Sequence, residues 1–206
     1  MRPTSLTFLF ALAVGSFCSP QVLALVPTTL AEVNRLPAYC RGTQQIMSLT
    51  GASHEAGLKL YGEEYHHLHH YCWALNAENK ALGVLDKTQR GYLLGPAISD
   101  MDYAIRHCRL TFILLPEMYS GKGRVLFKLG RAPEAVASLY KALQIKPDYA
   151  PAALQLSRYF ERQGERAKAI AILKTTAEHS ATPSAAIAKQ LQKLGASTAQ
   201  PAEKPH

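Results

Sequence analysis

The 206-residue sequence has no apolar run long enough to predict a membrane-spanning helix. Its main apolar stretch, Leu6 to Phe17, follows Arg2 and precedes the small-residue site Val22-Leu23-Ala24. This order is typical of a secretory signal peptide. We expect cleavage after Ala24, and therefore a periplasmic or secreted protein. Lipid attachment at Cys18 is less favoured because Phe17 is unsuitable before a lipidated cysteine, and an uncleaved anchor is the remaining alternative.

The sequence also lacks the short motifs of common enzymes. The glycines at 121 and 123 have neither the preceding strand nor the spacing of a phosphate-binding loop. No G-x-S-x-G elbow is present. No H-E-x-x-H motif is present either, because Glu63 and Glu64 precede the histidines rather than lying between them. We therefore predict that the protein is not an enzyme and has no cofactor.

The charge balance is basic but shows no nucleic-acid signature. The formal net charge of +8 falls to +7 when residues 1–24, and with them Arg2, are removed. The basic residues are spread over predicted helices rather than run together, and no nucleic-acid motif is present. Acidic proteins, anionic lipids or cell-wall polymers are the partners that such a charge favours.

The sequence does contain two tandem copies of one helix-turn-helix unit, between about Glu117 and Glu178. Three pairs of residues recur at a spacing of 34, and they are Gly130 and Gly164, Ala135 and Ala169, and Leu139 and Leu173. The glycines are expected to end the first helix of each unit in the left-handed conformation. The small alanines allow the two helices of a unit to approach closely.

This period and these residue types resemble the tetratricopeptide repeat (TPR) family. The resemblance implies an all-α, TPR-type solenoid of helical hairpins that binds another protein. Gly123 and Ser157 fit the small eighth position of the family pattern, and Leu126 and Phe160 fit its large position. Lys122 departs from the pattern, which has Leu there.

Around these repeats we predict an N-terminal helical extension and a C-terminal capping helix. The predicted boundaries are a signal peptide at 1–24, an extension at 25–56, a degenerate TPR-like helical pair with an insertion at 57–115, repeats at 116–149 and 150–181, a capping helix at 182–195 and a disordered tail at 196–206. The first helix of the degenerate pair should run from Gly57 to Gly83, followed by a Gly-rich insertion from Asp86 to Pro96. Thr182 is the expected N-cap of the last helix, which should stop at Gly195.

The resemblance also implies which residues line the concave groove. The first helix of each TPR unit faces this groove, and its ninth position is Arg124 or Arg158 while its thirteenth is Lys128 or Arg162. Because arginine can hold a carboxylate through two hydrogen bonds, we interpret the chain as an exported scaffold or adaptor for an envelope protein or acidic peptide. It would reach a membrane only through that partner. The alternative is that these are solvated charges on an exposed helix face.

Three cysteines remain after cleavage, and export favours a disulfide between two of them. The preferred bridge is Cys40–Cys72, which would fix the N-terminal segment to the first helical pair. Cys72–Cys108 competes with it, because the helices that carry these two residues should pack together. Cys108 would otherwise be a small buried apolar residue.

A histidine-rich string from Tyr65 to Trp73 is the least ordinary part of the sequence. On a helix His66 lies three residues from His69 and four from His70, so the three rings can share a face. Such spacing is compatible with a zinc or copper ion, which makes a metal-binding or redox accessory module the alternative function. The competing interpretation is structural, with the histidines packed beside Trp73.

The same string resembles a group of small exported bacterial TPR proteins. The matching residues are Tyr39-Cys40 near the mature N-terminus and the stretch from His69 to Trp73 ahead of the repeats. The resemblance implies an exported solenoid without a settled activity. It also favours the Cys40–Cys72 pairing.

Overall fold

The computed structural model describes residues 25–182 and 184–196, and these residues form helices and turns without a strand. The α-helices are α1 (Leu30–Val33), α2 (Ile46–Thr50), α3 (His54–Tyr61), α4 (Leu68–Ala81), α5 (Lys87–Arg106), α6 (Leu115–Lys128), α7 (Ala132–Ile145), α8 (Ala150–Arg162), α9 (Arg166–Glu178) and α10 (Ala185–Lys193). The other helical elements are two short 3₁₀ turns, Ala38–Cys40 and Glu63–His67. None of these helices is long and apolar enough to cross a bilayer. The predicted signal peptide and residues 197–206 lie outside this description.

From α4 onward the helices pack as three consecutive hairpins. α4 pairs with α5, α6 with α7 and α8 with α9, and α10 packs on the last hairpin. The first helices also contact one another in series, α4 to α6 and α6 to α8. This arrangement confirms the predicted all-α solenoid of helical hairpins.

The repeated small residues have the structural roles that the pattern predicts. Gly130 and Gly164 have φ angles of 76° and 78°, so each ends its helix in the left-handed conformation that glycine adopts at little cost. Ala135 and Ala169 are fully buried between the helices of their hairpins. At Gly123 an added Cβ would lie 2.8 Å from Cγ of Leu139, so the close approach of α6 and α7 requires a residue without a side chain.

The predicted single helix from Gly57 to Gly83 is wrong, because the helix is interrupted at Gly62. That residue has a φ of 74° and separates α3 from the 3₁₀ turn that leads into α4. The break folds α3 back onto the turn, so that the ring of Tyr65 packs directly on Gly57. The apolar stripe of this segment is nevertheless buried at Tyr65 and Leu68.

The predicted Gly-rich insertion from Asp86 to Pro96 is also wrong, because this stretch is the first half of α5. Asp86 caps the helix by accepting a hydrogen bond from the backbone N–H of Gln89 at 2.8 Å. The helix continues through Pro96 because it packs along α4 and buries an apolar stripe. That stripe consists of Leu94, Ala97, Ile98, Met101, Ala104 and Ile105. Tertiary packing therefore overrides the low helix propensity of Gly91, Gly95 and Pro96.

The capping helix begins later than the sequence suggests. Its N-cap is Ser184, whose hydroxyl accepts a hydrogen bond from the N–H of Ala186 at 3.3 Å, whereas the prediction placed the cap at Thr182. The end at Gly195 is as predicted, with a φ of 61° there. Ile187 and Leu191 of α10 are buried and cover the apolar side of the last hairpin.

Candidate protein-binding face

The first helices of the three hairpins, together with α10, lie side by side, and we call this surface the first-helix face. α8 links its two halves because it contacts both α6 and α10. The four basic residues predicted to line the groove lie on two of these helices. They are Arg124 and Lys128 on α6, and Arg158 and Arg162 on α8.

The N-terminal segment covers the α4 end of this face. Asn76 of α4 donates a hydrogen bond to the carbonyl of Leu25 at 3.0 Å. Further along, the hydroxyl of Tyr39 donates to Glu117, near the start of α6, at 2.5 Å. Burial, followed by the neighbouring Tyr71 and Glu117, raises the pKa of Tyr39, so its hydroxyl stays protonated and remains a donor. The accessible part of the face is therefore formed by α6, α8 and α10.

The same segment brings two cysteines together. The sulfur atoms of Cys40 and Cys72 lie 2.06 Å apart, which is a disulfide distance, and both residues are fully buried. Cys108 lies apart from this pair, with its sulfur next to the carbonyl oxygen of Ala104 at 3.1 Å. Burial raises the pKa of the Cys108 thiol to about 12, so the thiol is protonated and unreactive. Of the two pairings that the sequence left open, the geometry accommodates Cys40–Cys72.

On α6 both predicted groove residues are already engaged by a carboxylate of the chain itself. Arg124 holds both oxygens of Glu78, on α4, at 2.6 and 2.7 Å, and Lys128 contacts the same group at 2.7 Å. Burial of Glu78 would raise its pKa, but the hydrogen bonds and charges of Arg124 and Lys128 outweigh burial and lower it. The carboxylate is therefore ionised. In this cluster Arg124 holds the carboxylate through two hydrogen bonds and Lys128 adds a third.

On α8 the equivalent pair has no such carboxylate. Arg158 and Arg162 are exposed, and neither forms a salt bridge with any residue that the structure describes. The nearby Glu161 is held instead by the capping helix, through Lys193 at 2.9 Å and Gln190 at 2.9 Å. The hydrogen bond from Lys193 is the main reason that the pKa of Glu161 is lowered. The two arginines thus present their guanidinium groups to solvent.

Residues 126–194, which run from the end of α6 to the end of α10, match the family model of the tetratricopeptide repeat. These residues belong to the tetratricopeptide repeat family, and they make up about a third of the chain. No curated protein and no solved structure matches it. Tetratricopeptide repeats are protein-interaction modules and are typically not catalytic, so the match assigns the chain to protein-binding scaffolds. The hairpin of α4 and α5 lies upstream of the matched residues.

Next to the repeats, at the N-terminal end of α4, four histidines form a chain of ring contacts with Tyr103 and Trp73. They are His67, His69, His70 and His107, whereas His54 and His66 contact each other in a separate pair. Burial, reinforced by His70, lowers the pKa of His69 to about 4. Burial and then His107 lower that of His67. Both rings are therefore neutral at pH 7.

The three histidines predicted to bind metal do not converge on one point. Nδ1 of His66 lies 3.2 Å from Nε2 of His54, Nδ1 of His69 lies 2.8 Å from the carbonyl oxygen of His66, and His70 contacts Asp100 at 2.7 Å. Residues 25–182 and 184–196 contain no group of three or more side chains arranged to hold a metal ion. The metal-binding alternative thus has no support, and the contacts are those of the structural interpretation.

Sequence reasoning missed the two acidic residues that matter most near the repeats. Glu78 ends a run of eight buried residues, 71–78, in α4, and Glu117 lies in the first turn of α6. The position of Glu78, directly after the mostly apolar stretch from Tyr71 to Ala77, is the signal that the sequence offers for it. That signal indicates a buried charge with a partner, but it does not say which helix supplies the partner.

Proposed function

We propose that this tetratricopeptide repeat protein is an exported scaffold that binds an acidic segment of an envelope protein on the first-helix face. In this proposal Arg158 and Arg162 hold a carboxylate of the partner. The observation that carries it is the Glu78 cluster, because the equivalent positions of the preceding repeat already hold a carboxylate in a bidentate manner. The α8 pair has the same spacing along its helix, and no carboxylate in residues 25–182 and 184–196 forms a salt bridge with it.

The chemistry of this contact favours an acidic segment held by preformed helices. A guanidinium presents parallel N–H donors that match the two oxygens of a carboxylate. Since Arg158 and Arg162 are exposed, each ion pair contributes about 1 kcal/mol or less, and affinity must also come from apolar contacts along the helices. The charges therefore govern the rate of association and the choice of partner more than the total affinity.

Export is the second part of the proposal, and two observations support it. The first 24 residues have the order of a secretory signal peptide. The geometry at Cys40 and Cys72 fits a disulfide, and disulfides persist in oxidising compartments such as the periplasm. Determining the N-terminus and the free-thiol count of the protein recovered from the cell envelope tests this part. Retention of residues 1–24, or three free thiols in the processed chain, would count against it.

The binding face is tested by crosslinked recovery of partners from the cell envelope with the double variant Arg158→Glu/Arg162→Glu. The matched control is Lys141→Glu/Lys174→Glu, which makes the same change in charge at exposed sites on α7 and α9, the second helices of the hairpins. We expect the α8 variant to lose the partner and the control to retain it. Equal recovery by both variants would contradict the proposal.

Arg124 is unsuitable for this experiment because its substitution leaves Glu78 without its main partner. Variants at that position would lose stability as well as charge. A circular dichroism melt of each α8 variant separates a lost binding site from a lost fold. The proposal requires partner loss in a protein that melts like the wild type.

A further inference from the structure

The turn between α4 and α5 exposes three large apolar side chains close together in the sequence. Leu82 is 71% exposed, Leu85 is 92% exposed and Tyr92, in the second turn of α5, is 63% exposed. Leu82 and Leu85 lie within the short connection itself, at the edge of the solenoid rather than in a groove. The binding face proposed above uses none of these residues.

The backbone of this turn is largely satisfied by the chain itself. The N–H groups of Leu82, Gly83 and Val84 donate to carbonyls of the last turn of α4. Arg90 donates to the carbonyl of Val84 through Nε at 3.1 Å and Nη2 at 2.7 Å. The carboxylate of Asp86 accepts from the N–H of Gln89. Because these polar groups already have partners, placing the turn in a less polar medium costs less than it would for an open loop.

Cationic side chains lie beside the turn. A cavity of about 480 Å³ opens between the start of α5 and the end of α6. Its seven lining residues are Lys87, Arg90, Gly91, Phe127, Lys128, Leu129 and Gly130. Three of these are basic, but Lys128 is paired with Glu78 and the turn itself carries the acidic Asp86, so Lys87 and Arg90 supply the positive charge next to the exposed leucines.

In contrast to the expectation that the protein reaches a membrane only through a partner, we propose that this edge of the molecule docks directly on an anionic lipid bilayer. Leu82, Leu85 and Tyr92 would enter the interface between headgroups and acyl chains, while Lys87 and the basic cavity face the lipid phosphates. Exposed apolar side chains beside basic residues suit a lipid surface, because the apolar side chains can enter the acyl region while the cations contact the headgroup phosphates. The site differs from the proposed protein-binding residues on α8, so one can fail while the other holds.

The opposite edge of the solenoid supplies a matched control. Leu110 is 76% exposed and Ile113 is 75% exposed, in the connection between α5 and α6. These side chains are as accessible as those of the α4–α5 turn. Arg106 and Arg109 lie beside these two residues, with Arg109 paired to Glu64, whereas the basic cavity lies at the other end of α5. A lipid surface that recognised exposed apolar residues alone would not distinguish the two edges.

The test places a fluorescent reporter at each edge in the processed chain, whose N-terminus is verified by mass. Leu85→Trp and Leu110→Trp are compared with the wild type, whose single tryptophan, Trp73, is buried and gives a constant background. Vesicles of phosphatidylcholine, with and without phosphatidylglycerol, are added. We expect a blue shift for Leu85→Trp with the anionic vesicles only, and none for Leu110→Trp. An unshifted Leu85→Trp spectrum, or equal shifts at both edges, overturns the proposal.

Vesicle flotation supplies an independent measurement. Leu82→Ser/Leu85→Ser should reduce binding to anionic vesicles by about tenfold or more, from the apolar area lost at the interface. Leu110→Ser/Ile113→Ser should leave binding unchanged, and Lys87→Glu should weaken it in a salt-dependent manner. Equal effects of the two serine variants overturn the proposal. A blue shift of Leu85→Trp that grows with protein concentration in the absence of vesicles would also overturn the proposal, because it would indicate self-association.

Discussion

The N-terminal hairpin and the C-terminal repeat are stabilised in different ways. In α4 every residue from 71 to 78 is buried, so the helix has no solvent face and must satisfy polar groups such as Glu78 inside the protein. In α8 only one side is buried, and Arg158 and Arg162 lie on the accessible side. The comparison shows that the stability of the enclosed hairpin depends on a few specific contacts. The stability of the repeat depends on the recurring small and apolar residues, which leaves one side of α8 exposed.

Removal of the two buried cysteines should have the largest effect on the enclosed region. Cys40→Ser/Cys72→Ser opens a loop with a sequence separation of 32 residues, which corresponds to a loss of about 3–4 kcal/mol in the free energy of unfolding. Denaturant titration with and without a reductant measures it. Reductant should weaken the wild type and have no effect on the double variant. Cys108→Ser is the control and should change stability by less than about 1 kcal/mol.

Glycine substitutions sharpen the comparison between a packed and an open helix surface. In Gly57→Ala the new Cβ would lie 2.0 Å from the ring of Tyr65, which is itself buried and hydrogen-bonded to the carbonyl of Tyr39. We expect a loss of about 3 kcal/mol in thermal or chemical unfolding. Gly95→Ala, where no heavy atom lies within 4 Å, should instead stabilise α5 by about 0.5–1 kcal/mol. A similar loss at both sites would contradict the described packing at Gly57.

Acid should weaken the enclosed region through His69. Burial, reinforced by His70, lowers the pKa of His69 to about 4, whereas an unfolded histidine titrates near 6.5. Between these values the unfolded chain binds the proton and the folded chain does not, so stability is constant above about pH 6.5 and falls as pH decreases toward 4. The loss is on the order of 2–3 kcal/mol, measured by denaturant titration at each pH. His69→Gln should flatten this slope, and an unchanged slope in that variant would assign it to other groups.

The smallest of the four effects should come from breaking the Glu78 cluster. Glu78→Gln leaves Arg124 and Lys128 without their carboxylate, and we expect a loss of about 2 kcal/mol because the cations are only partly enclosed. Glu134→Gln breaks the exposed pair with Arg131, which solvent screens, and should leave the free energy of unfolding unchanged within error. Equal costs in urea titrations of the two variants would remove the distinction between the enclosed and the open region.

The sequence predicts the repeats well because their determinants are local. Gly130, Gly164, Ala135 and Ala169 each have a role that one hairpin defines, so spacing alone places them. The path of the N-terminal region could not be predicted in the same way. Pro96 lies within a helix because α4 supports it, although proline and the glycines near it favour a loop.

The candidate site, too, is only partly predictable from the sequence. Spacing places all four basic residues on the first helices of the two repeats, but it does not reveal that Glu78 already occupies the α6 pair. That contact joins residues 46 positions apart, and it depends on how α4 packs against α6. Ion pairs between elements follow from tertiary structure, which is why the sequence gives the two pairs of basic residues equal weight and the structure does not.

The cover that the N-terminal segment provides over α4 also limits the size of what the protein can recognise. With α4 covered, a partner on the proposed first-helix face would contact α6, α8 and α10, and these three helices span two interhelical distances of about 10 Å each. At about 3.3 Å per residue, an extended peptide crosses that distance in roughly six residues. The ligand of this protein is therefore expected to be a short linear motif, of the length found at a chain terminus or in a surface loop.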